Sequence, residues 1–303
     1  MNDRNVLVWR SLLYVPANNP RFVDKAHTRD ADAIILDLED SVPPTEKTAA
    51  REALPGAVKS VVRHGADVLV RINRPLRTAL ADMEAAIAAG ADAIWISKTE
   101  SPEHAQLMSE VATEVEREQG RVPGSTMFVA VVESPAAYFR AQEIARADSR
   151  IVAMSLGSED FALEAGMTPD AETLYVPKQT VQYAARAAGI MPLGFFGTVA
   201  DYADTEGVTE AVRRSRKFGF EGATCVHPSV VPILNTALMP TSGEINKAQE
   251  IMSAYDEAEK KGLGAITLEG KMIDVPIVER ARRLLVRADT IAEKDRRKAE
   301  LSA

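Results

Sequence analysis

Two acidic residues, Glu133 and Asp160, stand at the ends of two successive apolar runs, where their carboxylates could do chemistry together. The runs are residues 127–134 (MFVAVVES) and 151–160 (IVAMSLGSED). Their length and their valine, isoleucine and methionine content are typical of strands buried on both faces of a parallel sheet. Residues just beyond the carboxyl ends of such strands line the ligand site in α/β folds. Two carboxylates there could hold a divalent cation such as Mg²⁺, which takes oxygen ligands and retains water.

The same two carboxylates also allow a simpler interpretation. Each could cap the helix that follows its strand, since acidic residues favour helix N-termini. The two residues alone do not decide between a metal site and a pair of helix caps.

Further polar residues follow other apolar runs. They are Asp37, Glu39, Asp40, Arg71, Asn73, Lys98, Glu100, Glu159 and His227. A guanidinium at the mouth of a dry barrel is costly unless it is paired, so Arg71 needs a negative partner. That partner is either Asp37 or Asp40 in a structural ion pair, or a substrate oxygen on which negative charge develops.

Lys98 and His227 each carry two hypotheses. Lys98 could form a Schiff base with a carbonyl substrate if burial lowers its pKa. Alternatively, it could pair with a neighbouring carboxylate, namely Glu100, Glu133 or Asp160. His227 precedes a proline and could donate to a substrate, or it could tie its loop to the following helix.

The elements that must position these residues are eight apolar runs separated by amphipathic stretches. The runs are SLLYV, AIILDL, VLVRI, AIWIS, FVAVVE, IVAMSL, IMPLGFF and GATCVH, which begin at residues 11, 33, 68, 93, 128, 151, 190 and 222. Eight parallel strand–helix units predict a (β/α)₈ TIM barrel. A doubly wound open sheet is the alternative, but VPANNPRF after the first run is not its glycine-rich phosphate fingerprint.

The remaining sequence predicts a C-terminal helical extension. We place the barrel at residues 1–240 and the extension at residues 241–303, which could pack on the barrel or serve as a lid. Within the barrel, Pro55 is expected to break the helix between the second and third strands. The last eight residues, RRKAELSA, are expected to form a solvated, fraying tail.

Composition limits the possible partners. The net charge of −8 and the pI near 5.2 argue against a nucleic-acid surface, which needs a basic field. The single cysteine, Cys225, fits a reducing cytosol. The N-terminal stretch lacks a signal-peptide core, and no run approaches the ~20 apolar residues of a membrane span. We therefore expect a cytoplasmic protein with small-molecule partners.

Several motifs together resemble the citrate lyase β-subunit-like family of the HpcH/HpaI aldolase superfamily, which includes malyl-CoA and citramalyl-CoA lyases. The matching segments are RSLLYVPANNP, ILDLEDSVPPTEKTAAR, VRIN, SKTESPE, VVESPAA, GSEDFALEAG, YVPKQTVQYAARAAGI, GFEGATCVHPSVV and GKMIDVPIVERARRLL. They occur in family order across most of the chain. The chain departs from many members at Ala17, Ser97 and Ala223–Thr224, the last pair lying where those members have a nearby lysine.

The resemblance implies a barrel with a C-terminal extension, assembled as trimers or hexamers. It implies an Mg²⁺-dependent carbon–carbon lyase acting on a CoA thioester. The family roles fall on Glu133 and Asp160 as metal ligands, on Arg71 and Asp274 as catalytic residues, and on Tyr14, Arg21, Lys25, Arg71, Glu133, Val226 and His227 at the substrate. Asp274 would enter the adjacent subunit's site and transfer a proton.

Three alternatives to this activity remain. The chain could be a lysine Schiff-base aldolase that uses Lys98. It could be the β-subunit of a multi-subunit citrate lyase that acts on an acyl-carrier thioester, or a non-catalytic CoA-binding module. Hydrolysis of the thioester after cleavage is also compatible with the resemblance.

Overall fold

The computed structural model describes residues 7–260 and 262–302. These residues form two compact units. The larger spans Trp9–Leu238, and the smaller spans Met239–Leu301 together with the N-terminal residues 7–8. No helix in the described part of the chain is long and apolar enough to cross a membrane.

The larger unit is built on eight parallel strands. They are β1 (Ser11–Pro16), β2 (Ala33–Asp37), β3 (Asp67–Ile72), β4 (Ala93–Ile96), β5 (Met127–Val132), β6 (Ile151–Leu156), β7 (Met191–Leu193) and β8 (Ala223–Cys225). Their hydrogen-bonded order is β7-β6-β5-β4-β3-β2-β1-β8. A parallel bridge between Leu193 and Gly222 joins the two ends of this order. The predicted TIM barrel is thereby confirmed.

Helices follow the strands and cover the barrel. They are α1 (Pro20–Ala26), α2 (Lys47–Val61), α3 (Leu76–Ala89), α4 (Pro102–Glu118), α5 (Pro135–Phe139), α6 (Ala141–Ala145), α7 (Ser158–Ala165), α8 (Tyr175–Ala188), α9 (Thr205–Lys217) and α10 (Val231–Ala237). Every residue of β2 and β4 is buried, because one face of each strand meets the helices and the other fills the barrel interior.

The last two strands are shorter than the apolar runs that predicted them. Only three residues of each run are extended. After β7, Gly194 takes a φ of 140°, which turns the chain away from the strand direction. After β8, the chain turns into a short 3₁₀ helix, Pro228–Val230, at the proline that cannot donate to a sheet.

The prediction that Pro55 breaks its helix is wrong. The helix α2 runs continuously from Lys47 to Val61 with Pro55 inside it. Pro55 is exposed, whereas Leu54, Ala57 and Val58 are buried against the core. Packing of this apolar face therefore outweighs the loss of one helical hydrogen bond at the proline.

The smaller unit contains two helices and a hairpin. They are α11 (Ser242–Glu259), the antiparallel pair β9 (Ile266–Leu268) and β10 (Lys271–Ile273), and α12 (Val275–Ser302). The hairpin turn uses positive φ at Glu269 and Gly270, as two-residue hairpin loops require.

The predicted fraying tail is also wrong, because α12 continues to Ser302. Ion pairs of Arg296 with Glu293 at 2.5 Å and with Glu300 at 2.6 Å support the last turns. Such pairs at three- and four-residue spacing stabilise a helix.

Candidate active site

Glu133 and Asp160 reach the same cavity from neighbouring strands. Glu133 directly follows β5 and is 6% exposed, and Asp160 lies in the first turn of α7, just after β6. Neither carboxylate caps a helix. The side chain of Ser134 caps α5, and the N-cap of α7 is Gly157, which has no side chain to do so. Neither acid therefore makes a capping hydrogen bond, although Asp160 lies in the first turn of α7, where the helix dipole favours an acidic side chain.

The carboxylate of Glu133 is held in a tight and poorly solvated place. Its Oε2 accepts a hydrogen bond of 2.6 Å from the backbone N–H of Lys98. A Cβ at residue 157 would collide with the Glu133 side chain, so glycine provides the space for it. Burial, together with the negative charge of Glu39, raises the pKa of Glu133 to about 8. A cation beside this carboxylate would relieve that cost.

Lys98 pairs with carboxylates, as one of its two hypotheses expected, but only Asp160 is among the partners that the hypothesis named. Its Nζ lies 2.9 Å from Oε1 of Glu39 and 3.3 Å from Oδ1 of Asp160. Burial alone would lower the pKa of Lys98, but the hydrogen bond and charge of Glu39 raise it above its ordinary value. A Schiff-base lysine needs a lowered pKa, so this environment disfavours that chemistry.

Arg71 forms the structural ion pair that its sequence position allowed. Its Nε and Nη2 donate to the two oxygens of Asp37 at 2.7 Å each. Its Nη1 lies 2.9 Å from Glu39 and 3.4 Å from Asp40, and its guanidinium lies 4.9 Å from the centre of the Tyr14 ring. The side chain still lines the cavity that Glu133 and Asp160 reach.

The cavity that Glu133 and Asp160 reach, which we call the metal-site cavity, has a volume of about 460 Å³. It is lined by Tyr14, Pro16, Asp37, Asp40, Ser41, Arg71, Trp95, Val131, Glu133, Ser155, Leu156, Gly157, Ser158, Glu159, Asp160, Val199, Thr224 and Val226. Five of these lining residues are acidic and one, Arg71, is basic. The excess of negative charge means that the cavity favours a cation.

A divalent ion would fit this donor set with help from other ligands. Among residues 7–260 and 262–302, no group of three or more His, Cys, Asp and Glu side chains is arranged to hold a metal ion. Glu133 and Asp160 would therefore supply two ligands and leave the remaining positions to water or substrate. Magnesium is commonly bound in this way, by one or two carboxylates.

A second cavity of about 420 Å³, the basic cavity, adjoins the first. Tyr14, Pro16 and Val226 line both cavities. Its basic side chains are Arg21, Lys25 and Arg29, of which the first two lie four residues apart on α1. Tyr14, Arg21 and Lys25, which the family resemblance places at the CoA portion of the substrate, thus lie around one cavity.

His227 has the capping role that its alternative hypothesis gave it. Its Nδ1 accepts a hydrogen bond of 3.2 Å from the backbone N–H of Ser229, at the start of the 3₁₀ helix. Its ring stacks on Tyr202 with 4.9 Å between ring centres. His227 also lines the basic cavity, so a contact with substrate stays a prediction.

Asp274 belongs to the smaller unit, between β10 and α12. It is half-buried, and its backbone carbonyl accepts hydrogen bonds from the N–H groups of Ile277 and Val278 in the first turn of α12. Its predicted part in proton transfer stays a prediction.

Glu39 is more central than the sequence indicated. It was recognised only as one acid of a cluster, yet its buried carboxylate contacts Arg71, Lys98 and the Ser97 hydroxyl. It therefore links the arginine to the lysine. Its position after β2 indicated a place at the barrel mouth. Its partners lie in β3 and just after β4, and the sequence alone does not show that they meet Glu39.

Lys178 was missed altogether. It is buried on α8, and its Nζ donates to the backbone carbonyls of Phe195 and Gly197 in the loop after β7. Burial lowers its pKa to about 7. The next residue of that loop, Thr198, donates to Glu159, which lines the metal-site cavity. The available signal was a lysine on the apolar stripe of a predicted helix.

A TIM barrel with carboxylates, an arginine and a lysine at the carboxyl ends of its strands has the arrangement of a barrel enzyme. The family model of HpcH/HpaI aldolase/citrate lyase matches residues 10–228. The chain belongs to this family, which confirms the resemblance drawn from the motifs.

Known proteins similar to the chain cover nearly all of it. Citrate lyase subunit beta of Escherichia coli strain K12 is 33% identical over 293 residues, or 95% of this chain and 96% of that protein. A (3S)-malyl-CoA thioesterase of Cereibacter sphaeroides (strain ATCC 17029 / ATH 2.4.9) is 33% identical over 287 residues, or 94% and 96%. The crystal structure of CitE from Mycobacterium tuberculosis with magnesium, acetoacetate and coenzyme A matches with a TM-score of 0.73 at 28% identity, covering 94% of this chain and 99% of that one.

Proposed function

We propose that the chain is an Mg²⁺-dependent carbon–carbon lyase for a 3-hydroxyacyl-CoA such as citramalyl-CoA, malyl-CoA or citryl-CoA. Cleavage would give acetyl-CoA and an α-keto acid, and the reverse reaction would join them. The observation that carries the proposal is the pair Glu133 and Asp160 in an acidic cavity that adjoins a basic one. The magnesium, acetoacetate and coenzyme A of the M. tuberculosis CitE structure support it.

Glu133 and Asp160 would hold the magnesium ion. When bound there, the ion would act as a Lewis acid on the oxygens of the keto-acid portion. The buried position of Glu133 and its contact with the Lys98 backbone fix one ligand before substrate arrives. This preorganisation is what the protein contributes to such a site.

Arg71 would stabilise the charge that develops on the acyl fragment. In the cleavage direction a water molecule would accept the proton of the 3-hydroxyl, the adjacent carbon–carbon bond would break, and its electron pair would move onto the thioester as an enolate. Although burial alone would lower the pKa of Arg71, its hydrogen bonds to Asp37 raise it, and the side chain stays cationic. A fixed cation beside a developing enolate lowers the barrier.

Asp274 would return a proton to the enolate carbon, or remove one in the condensation direction. The family resemblance assigns this residue to an adjacent subunit's site, so the active form would be a trimer or hexamer. Asp274 directly precedes α12, where the backbone hydrogen bonds to its carbonyl fix its main chain.

Tyr14, Arg21 and Lys25 would bind the CoA portion. The exposed side chains of Arg21 and Lys25 can pair with phosphates, which guanidinium and ammonium groups both bind. Tyr14, at the junction of the two cavities, would contact the chain between the phosphates and the thioester. Val226 and His227 would complete this part of the substrate site.

One second function has a specific observation in its favour. The similar E. coli protein is a subunit of citrate lyase and is matched over nearly its full length. The chain could accordingly act on an acyl-carrier thioester within a larger complex. Thioester hydrolysis after cleavage is a related possibility, since the similar C. sphaeroides protein is a thioesterase.

The test is product analysis with the purified chain alone. We expect MgCl₂ and a panel of 3-hydroxyacyl-CoA esters to give acetyl-CoA and a keto acid by mass spectrometry, and EDTA to abolish the reaction. Glu133→Gln, which keeps the size of the side chain, should behave as the EDTA-treated enzyme does. Release of free CoA would reveal hydrolysis. Cleavage of a carrier-bound thioester only, or borohydride trapping at Lys98, would contradict the proposal.

A further inference from the structure

Lys98 has an unusual backbone conformation at the centre of the site. Its φ is 48°, and it is one of three non-glycine residues with positive φ in the described part of the chain. The left-handed region is costly for a residue with a Cβ, and such strain persists only where surrounding contacts hold it. Lys98 does not itself line the metal-site cavity, but it contacts Glu133 and Asp160, which do.

The contacts that accompany this conformation all go to carboxylates. The backbone N–H donates to Glu133 at 2.6 Å, and Nζ lies 2.9 Å from Glu39 and 3.3 Å from Asp160. One residue therefore contacts both proposed metal ligands, one through its main chain and the other through its ammonium group.

The two ammonium contacts differ in strength. Glu39 is buried, with a side chain 7% exposed, and is also fixed by Arg71 and Ser97. The Asp160 side chain is 36% exposed, and its contact with Lys98 is the longer one. Exposed ion pairs contribute little, so the Asp160 contact can be given up while the Glu39 contact remains.

We propose that Lys98 is a tethered counter-cation of the metal centre. Its ammonium neutralises Asp160 while no divalent ion is bound and yields Asp160 to the ion when one binds. Lys98 thereby weakens the affinity of the site for the divalent ion. While the ion is absent, the ammonium reduces the repulsion among Glu39, Glu133 and Asp160. This inference rests on the proposed function, in which Glu133 and Asp160 hold the ion.

The reason is electrostatic. An ammonium group in contact with a ligand carboxylate stands within a few ångströms of an ion bound to that carboxylate, where like charges repel even with partial screening. Removal of the ammonium should therefore strengthen binding of the divalent ion. A lysine with a purely structural role predicts the opposite, since its loss would disorder the two ligands.

The experiment measures binding of MnCl₂, and of MgCl₂ in competition, to the whole protein by electron paramagnetic resonance of free Mn²⁺, without substrate. Lys98→Met keeps the side-chain length and removes the charge, and Lys98→Gly removes the charge and the backbone strain. We expect both to bind Mn²⁺ at least tenfold more tightly than wild type. Lys59→Met removes an exposed lysine on α2, outside the cavity lining, and should leave the affinity unchanged.

The outcomes separate the two proposals. Unchanged or weaker binding in both Lys98 variants, with circular dichroism showing a folded protein, would overturn the counter-cation role and leave the lyase proposal standing. Wild-type binding that Glu133→Gln does not reduce would overturn both, because the ion would then lie elsewhere.

Discussion

Arg71 shows how one side chain can serve both structure and chemistry. Its ion pair with Asp37 holds β2 and β3 together at their carboxyl ends, while its guanidinium lines the metal-site cavity. Burial alone would raise the pKa of Asp37, but the hydrogen bonds from Arg71 and Ser41 hold it below its ordinary value. The pair is therefore ionised, and the arginine is fixed in place before substrate arrives.

Substitution of Arg71 should lower turnover far more than any loss of folded protein can account for. We expect Arg71→Ala to lower kcat by at least ~10²–10³-fold, as is typical for loss of one such stabilising group. Arg71→Lys, which keeps the charge near Asp37, should lose less. Steady-state kinetics with the cleaved acyl-CoA, beside the thermal midpoint of each variant, would check this. Near-normal kcat in a folded Arg71→Ala would refute the assigned role.

The candidate residues were partly predictable from the sequence. Glu133 and Asp160 follow buried runs directly, so strand prediction alone brought them to one edge. The contact between Lys98 and Glu39 joins residues 59 positions apart, and its form depends on the left-handed backbone at Lys98. Hydrophobic patterns carry no information about such a contact.

At the scale of elements, a buried ion pair anchors the two strands that lead to the proposed metal ligands. Glu116 on α4 accepts hydrogen bonds from Arg150, just before β6, at 2.7 and 2.8 Å. It also accepts from the backbone N–H groups of Gly124 and Thr126, which precede β5. Burial alone would raise the pKa of Glu116, but these bonds lower it to about 2.

This pair predicts a pH dependence of stability. Glu116 loses its proton more easily in the folded chain than in the unfolded one, so its contribution is complete above the ordinary pKa of 4.5 and is lost as pH falls through about 2. Glu116→Gln should lower the unfolding free energy at pH 7 by about 3–5 kcal/mol, since it leaves Arg150 buried and unpaired.

Urea unfolding at pH 7 and pH 3 would check this prediction. The difference in unfolding free energy between the wild type and Glu116→Gln should be smaller at pH 3 than at pH 7. Glu143→Gln, at an exposed ion pair with Arg140, is the matched control and should change stability little. Equal stability of Glu116→Gln and wild type at pH 7 would contradict the anchoring role.

The elements also show where sequence patterns fail. Six strands agree with their apolar runs to within one or two residues, because burial on both faces leaves a continuous pattern. The run that begins at Ile190 overestimates β7, because the buried loop residues Phe195 and Phe196 are as apolar as strand residues. The run that begins at Gly222 overestimates β8, because its last residues, Val226 and His227, are exposed and lead into the 3₁₀ helix. Pro55 causes the opposite error, because it predicts a helix end where tertiary packing keeps α2 continuous.

At the scale of the whole molecule, the proposed assembly makes a prediction of its own. If Asp274 acts in the adjacent subunit's site, each active site combines Arg71 of one subunit with Asp274 of another. Arg71→Ala and Asp274→Asn then remove groups that different subunits contribute to one site. Each homogeneous variant should have very low turnover, whereas co-expression of the two should restore a measurable fraction, because some sites then contain neither change. Mixed protein no more active than the separate variants would contradict action between subunits.

The central claim is that Glu133 and Asp160 hold a divalent cation at the carboxyl ends of β5 and β6. The most direct measurement is anomalous X-ray scattering from a crystal of the chain soaked in MnCl₂. We expect one strong difference peak within about 2.5 Å of a carboxylate oxygen of each residue, with magnesium able to displace it. A peak bound elsewhere, or side chains of Glu133 and Asp160 that share no ion, would contradict the account.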